Sequence, residues 1–350
     1  VSGQEENLAS ALLEWCTSDE FRPTSSITGS GAVSVLERGF ADMVDMRHAF
    51  AVASGTAALI GALDACTGEG GTVVLPAYDW SAALAAALAC RCEVRFADVG
   101  RHGVIDADAV AAVGADADVI VATDLHGYPV DVIALRRRFP RAVVIEDCTQ
   151  AIGARRARRP AGWAAHIAVW SLGSGKVIDA GEGGMIVTDD DAIAERLDRS
   201  TRHPVRQKSR VDTPCLLGTV PRMHPAAAIQ AVSGLRGASA RVSVDVRRAR
   251  AALLVAHSAG LEVPPVEAEV EPSYSRAVVL VPEGAAPDGV EVGAPVYPHP
   301  PPSLIRQPTP PNALLWSTAA RSVRLRDDLD LSRLARFIQP DRDHHGGTTR

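Results

Sequence analysis

Between residues 49 and 146 the chain repeats one pattern: a short β-branched apolar run, a turn, and then an apolar-periodic run of helical length. The short runs fall at 49–53, 72–75, 93–97, 117–122 and 141–146, and helical spacing fills 56–66, 80–90, 106–112 and 130–138. A strand that is apolar throughout must be covered on both faces, and a helix between each pair of strands supplies that cover. The alternation therefore predicts a doubly wound, mostly parallel sheet. Ligands of such sheets bind outside the carboxyl ends of the strands, so the residues that follow each strand are the ones to weigh.

After the first strand comes Ser54-Gly55-Thr56-Ala57-Ala58-Leu59. Ser54 can cap a helix, Gly55 permits close backbone approach, and free N–H groups with the Thr56 hydroxyl suit a phosphate; a plain helix cap reads equally from these residues. Pro76-Ala77-Tyr78-Asp79-Trp80 follows the second strand, and Trp80 can either stack on a flat heterocycle or pack in the core. Glu146-Asp147-Cys148-Thr149-Gln150 follows the strand-like run Ala142–Ile145. Asp147 there can cap a helix or hold a protonated ring nitrogen in an ion pair.

Composition then draws attention to a single lysine. The chain has 34 arginines and two lysines, Lys176 and Lys208. Arginine stays charged, whereas a lysine whose pKa is lowered can form a Schiff base with an aldehyde. Lys176 lies on a glycine-rich loop between two apolar runs, 167–170 and 185–187. Alone it could be a leftover solvated cation. With a phosphate cradle, a stacking aromatic and a pyridinium-binding carboxylate it completes the demands of pyridoxal 5′-phosphate, an electron-sink cofactor.

Other classes fit poorly. A net charge of −6 offers no general attraction for nucleic acid. No uninterrupted apolar stretch reaches the ~20 residues of a membrane span. The polar, acidic run from Val1 to Asn7 lacks the features of a signal peptide. The six cysteines are sparse, and Cys90 and Cys92 alternate along a strand-like run. All six are therefore read as reduced thiols of a cytoplasmic protein without a metal site.

Seven ordered motifs between about Ile27 and Asp190 carry a resemblance. They are Thr28-Gly29-Ser30-Gly31 with Glu37, the Ser54 and Pro76 segments, Gly127-Tyr128-Pro129-Val130-Asp131, Glu146 to Ala154, Trp170 to Lys176, and Gly181-Glu182-Gly183-Gly184. Together the run resembles the DegT/DnrJ/EryC1/StrS family of pyridoxal-phosphate-dependent sugar aminotransferases. The resemblance implies an α/β protein of fold type I: an aspartate-aminotransferase-like large domain with a mostly parallel sheet, plus a smaller α+β C-terminal domain. The expected division is an N-terminal helical segment 1–25, a cofactor-binding domain 26–215, a small domain 216–340 and a disordered tail 341–350.

By the same resemblance Lys176 would carry the cofactor and move protons, and Asp147 would pair with the pyridine nitrogen. Gln150 would sit near the phenolic oxygen, Trp80 would stack on the ring, and Gly55, Thr56 and Ser171 would bind the phosphate. The implied reaction moves an amino group from glutamate or glutamine to a keto-sugar or cyclitol in secondary-metabolite (antibiotic or amino-sugar) biosynthesis, within a homodimer that shares its sites. Two departures stand out: Val220 occupies a position where the family has asparagine, and Pro302 one where it has histidine. They keep open a second reading, elimination, racemisation or cyclisation on an amino acid, and a third is a non-catalytic partner protein. The arginine clusters at 155–159 and 202–210 read as solvated loops, the second alternatively as a contact for a nucleotide diphosphate. The prolines of 298–302 imply a stiff extended segment, and helices are expected near 223–239 and 330–338.

Overall fold

The computed structural model describes residues 2–19, 21–68, 70–207, 221–257, 266–276, 278–280 and 290–325. The chain opens with α1 (Ser2–Thr17) and α2 (Ala32–Val44). It then alternates β1 (His48–Val52), α3 (Gly55–Thr67), β2 (Thr72–Pro76), α4 (Ala82–Ala89), β3 (Glu93–Ala97), α5 (Ala107–Gly114), β4 (Val119–Thr123), α6 (Val132–Arg138) and β5 (Val143–Asp147). A short hairpin, β6 (Arg155–Arg156) and β7 (Arg159–Pro160), precedes β8 (Ile167–Ser171) and β9 (Gly184–Thr188). Four helices follow: α7 (Asp191–Thr201), α8 (Pro204–Gln207), α9 (Pro225–Arg236) and α10 (Ala238–His257). The last described elements are β10 (Val270–Glu271), β11 (Val278–Leu280), β12 (Val290–Pro295), α11 (Pro301–Leu304), α12 (Pro311–Ala319) and β13 (Ala320–Leu325).

Seven strands form one sheet in the order β1-β9-β8-β5-β4-β2-β3. β9 runs antiparallel to both of its neighbours, and the other six strands share one direction. Every residue of β4 and β9 is buried, as expected of strands covered on both faces. The covering helices α3 and α4 are correspondingly apolar nearly all round rather than one-sided. β11, β13 and β12 make a separate antiparallel sheet, and β10 extends the β6–β7 hairpin. The expected strand–helix alternation is thus realised, with boundaries displaced by a few residues at most.

Several local expectations fail for identifiable reasons. Cys90 and Cys92 do not alternate along one strand: Cys90 caps α4, and Arg91 turns the chain with φ 57° before β3 begins. The proline-rich segment is not wholly extended, because Pro301 and Pro302 open α11. Proline is tolerated in a first helical turn, where its missing N–H has no partner to lose. The helix expected at 223–239 ends at Arg236 with Gly237 as its cap, and α10 starts afresh. The expected helix at 330–338 and the tail lie outside the described residues, as does Val220.

Arg155, Arg158 and Arg159 are exposed as expected, but Arg156, Arg202 and Arg206 are engaged by carboxylates. Arg156 donates to Glu267 at 2.8 Å and Glu269 at 2.9 Å from the small hairpin. Arg202 is 6% exposed and bonds Asp198, Glu37 and the Ala49 carbonyl, with its guanidinium 4.2 Å from the Phe50 ring centroid. Arg206 bonds both oxygens of Glu37. Glu37 also accepts from the Ala51 N–H at 3.1 Å, so this buried network ties α2, β1, α7 and α8 together. These two arginines are consumed by the protein's own carboxylates.

Candidate active site

Because β1, β2, β4, β5 and β8 point the same way, their carboxyl ends meet along one edge of the sheet. A cavity of about 670 Å³ opens there. It is lined by all seven residues singled out from the sequence: Gly55, Thr56, Trp80, Asp147, Gln150, Ser171 and Lys176. Asp79, Arg247, Arg276 and Tyr297 also line it.

One wall is the amino end of α3. The Ser54 hydroxyl accepts from the Ala57 N–H at 3.1 Å and caps the helix. The first-turn N–H groups of Gly55 and Thr56 are not required by intrahelical bonding, and the helix dipole favours an anion before them. A β-carbon added at Gly55 would lie 2.8 Å from Cβ of Ser171. Only glycine lets the helix end approach the end of β8 this closely, which brings the Ser171 hydroxyl beside the same N–H groups.

Asp147 ends β5 and is 5% exposed. Its Oδ1 accepts from the Thr149 N–H at 2.9 Å. Burial pushes its carboxyl above the usual range, while the Thr149 donors and the Lys176 ammonium work against that. A second carboxyl, Asp79, is 4% exposed and accepts from Thr123 Oγ1 at 2.6 Å and from the Trp80 N–H at 2.7 Å. Burial, together with the negative charge of Asp147, raises it to about 8. Asp79 has no role legible in the sequence, because its proximity to Asp147 depends on β2 and β5 being next-but-one neighbours in the sheet.

Lys176 sits on the loop between β8 and β9. Its N–H donates to the Gly173 carbonyl at 3.2 Å, and Gly175 takes φ 79°. Asp179 clips this loop, accepting from the Gly175 N–H at 2.8 Å and the Gly181 N–H at 2.9 Å. Burial lowers the pKa of the Lys176 amine, Asp147 opposes the shift, and Arg276 and Arg247 add to it.

Gln150 is held at both ends of its amide. Oε1 accepts from the His126 N–H at 3.0 Å, and Nε2 donates to the Tyr297 hydroxyl at 3.3 Å. His126 is a non-glycine residue at φ 58°, and this conformation turns its N–H onto the glutamine. The His126 ring lies 5.6 Å from that of Tyr297 at an angle of 14°. Burial and the positive charge of Arg276 push the imidazole down to about 3, so it is neutral at ordinary pH. Trp80 keeps 60% of its surface open at the cavity rather than packing in the core. An indole this exposed at the carboxyl edge of a sheet is available for stacking.

These residues fit pyridoxal 5′-phosphate: a helix end prepared for a phosphate, an open aromatic face, a buried carboxylate and a lysine amine share one cavity. The fold and this edge define an aspartate-aminotransferase-like protein of fold type I. The DegT/DnrJ/EryC1/StrS aminotransferase family model matches residues 19–291, and the chain belongs to that family. It is 33% identical over 189 residues to L-glutamine:2-deoxy-scyllo-inosose aminotransferase of Streptomyces kanamyceticus, a match over 53% of this chain and 43% of that protein. The chain thus spans under half the length of the curated relatives it matches. Many solved structures share the fold, among them these two. S. venezuelae DesV in complex with a ketimine intermediate aligns with a TM-score of 0.74 at 23% identity, over 96% of this chain and 92% of that one. The E. coli GDP-4-keto-6-deoxy-D-mannose-3-dehydratase with bound hydrated PLP aligns with a TM-score of 0.74 at 17% identity, over 95% of each chain. Among the described residues no helix is long and apolar enough to cross a membrane.

Proposed function

We propose that this protein is a pyridoxal-phosphate-dependent aminotransferase. It takes an amino group from glutamate or glutamine and delivers it to a keto-sugar or cyclitol in secondary-metabolite biosynthesis. The observation that carries the reading is the meeting of Lys176, Asp147, the α3 amino end and the open face of Trp80 in one cavity. The kinship to a glutamine-dependent inosose aminotransferase supports the donor and the cyclitol acceptor. When bound, the cofactor supplies an electron sink that makes the donor α-proton acidic.

The protein's own side chains provide the rest. Thr56, Ser171 and the N–H groups of Gly55 and Thr56 would hold the phosphate. Asp147, hydrogen-bonded by the Thr149 N–H, would hold the ring nitrogen in its protonated form, and Gln150 would present its amide to the phenolic oxygen. Trp80 would cover one ring face. The lowered pKa of the Lys176 amine raises its neutral fraction, which is the form that attacks an aldehyde and accepts a proton. Residues 26–215 would form the cofactor-binding domain and 216–340 the smaller one, in a cytoplasmic homodimer.

Added pyridoxal phosphate should give the purified protein a visible absorption band, and borohydride should fix it on Lys176. Glutamine or glutamate alone should then bleach the band and release one equivalent of keto acid. A persistent band without keto acid from any donor points to other chemistry on the same cofactor. No band at all sinks the reading.

A further inference from the structure

We propose that Asp79 is a second carboxyl for the cation on the cofactor's ring nitrogen, protonated in the cofactor-free protein and ionised once that cation stands before Asp147. The proposal rests on the pyridoxal-phosphate reading of the cavity and deepens it. Asp79 lies just past β2, Thr123 ends β4 and Asp147 ends β5, and these strands are consecutive in the sheet in the order β5-β4-β2. Thr123 and Asp147 are partners in the parallel ladder, and Thr123 Oγ1 meets Asp79 Oδ2 at 2.6 Å. The three residues thus stand in a row along the carboxyl edge. Each is buried, and both carboxyls line the cavity.

Two carboxylates buried on one edge repel, and in a low dielectric one of them keeps a proton. Their surroundings decide which. The charge of Asp147 is supported by the Thr149 N–H at 2.9 Å and by the Lys176 ammonium. For Asp79 the groups that favour ionisation are the Thr123 hydroxyl and the Trp80 N–H, neither of them charged. The bond to Thr123 serves both states. A hydroxyl can donate or accept, so Oγ1 accepts from protonated Asp79 and donates to its carboxylate without any side chain moving. The Trp80 N–H bonds the other oxygen, Oδ1, at 2.7 Å. Beyond Asp147, the titratable group acting together with Asp79 is Tyr297, whose phenol is pushed up to about 12, first by burial, and stays neutral. The His126 ring stacked on Tyr297 is neutral as well, and Arg276 acts on these two and on Lys176. With a ring cation placed against Asp147, the repulsion that keeps Asp79 protonated is lifted. The Oδ2–H bond then breaks, its electron pair stays on the oxygen and the proton passes to bulk water. Asp79 adds a second negative charge beside the first, next to the residue whose indole would cover the ring.

The test measures pyridoxal-phosphate affinity of the full chain, stripped of cofactor and reloaded, at pH 6, 7 and 8 for the wild type and Asp79→Asn. Asparagine keeps the size and can accept from Thr123 but has no proton to release. The wild type should release one more proton on binding than the variant, so its affinity relative to the variant should rise with pH, approaching about tenfold per pH unit below pH 8. Calorimetry in two buffers of unlike ionisation enthalpy should show the same difference of about one proton. A ratio that is constant or falls with pH overturns the proposal, since a merely structural Asp79 would shift affinity equally at every pH. Should Asp79→Asn fail to fold, Thr123→Val removes the donor that stabilises the Asp79 anion and should flatten the pH dependence seen in the wild type; an unaltered slope rejects the proposal. A wild type that binds no pyridoxal phosphate at any pH fails the cofactor reading itself and this proposal with it, whereas binding with a constant ratio fails the proposal alone.

Discussion

At the residue scale, the cavity concentrates groups whose protonation is set by burial. Lys176→Ala should abolish borohydride trapping and lower amino transfer by about 100- to 10,000-fold, the usual worth of a general acid–base, as read by keto-acid release. Asp79 gives a pH test. Its native pKa is raised from 3.8 to about 8, so the native state favours its protonated form. The stability this confers is fully present below the unfolded pKa and is lost as pH rises through about 8. Asp79→Asn removes the titration but keeps a group that can accept from Thr123. The wild-type melting temperature should therefore fall more between pH 5 and pH 9 than that of the variant; parallel curves would contradict the assignment.

At the element scale, two devices hold the site open and rigid. The Ser54 cap satisfies Ala57 and leaves the first turn of α3 for an anion. Ser54→Ala should cost about 1 kcal/mol in denaturant unfolding. Asp179 joins the two sides of the Lys176 loop through the N–H groups of Gly175 and Gly181. Asp179→Ala should weaken pyridoxal-phosphate affinity about tenfold, the worth of a charge-assisted hydrogen bond, with little change in melting temperature. A full loss of folding would show instead that the loop supports the sheet. The elements themselves were legible because alternation of short apolar runs and helical runs is local information. The misread stretches, Cys90 to Cys92 and the 298–302 prolines, are places where a single φ or a first-turn proline decides the outcome.

At the scale of the whole molecule, the buried network of Glu37, Asp198, Arg202 and Arg206 fastens α2, α7 and α8 to the edge strand β1. Removing one member strands its partners' charges in the interior. Glu37→Gln should cost about 3–5 kcal/mol of unfolding free energy, measured in urea, without altering the order of the site residues in the cavity. A loss under about 1 kcal/mol would mean that water reaches the remaining arginines. In the sequence these arginines look like surface cations, because their counter-charge, Glu37, is remote in the chain and reaches them only through tertiary packing.

The same division runs through the active site. Gly55, Thr56, Trp80, Asp147 and Lys176 could be picked out from the chain alone, because each lies shortly after an apolar run and a parallel sheet collects strand ends at one edge, whereas Ser171 and Gln150 came only through the family resemblance. Asp79 stood in a motif without a role, since nothing local reveals that its carboxyl faces that of Asp147. Arg247 and Arg276 carried no signal at all among 34 arginines. Only the folding of α10 and the segment after β10 back over the sheet separates them from Arg248, whose charge is already spent. Periodicity and strand-end position, which depend on neighbours in the chain, determined the sheet and one side of the cavity. Which charges face one another across that cavity was decided by packing between distant segments, because desolvation and ion pairing depend on distance in space.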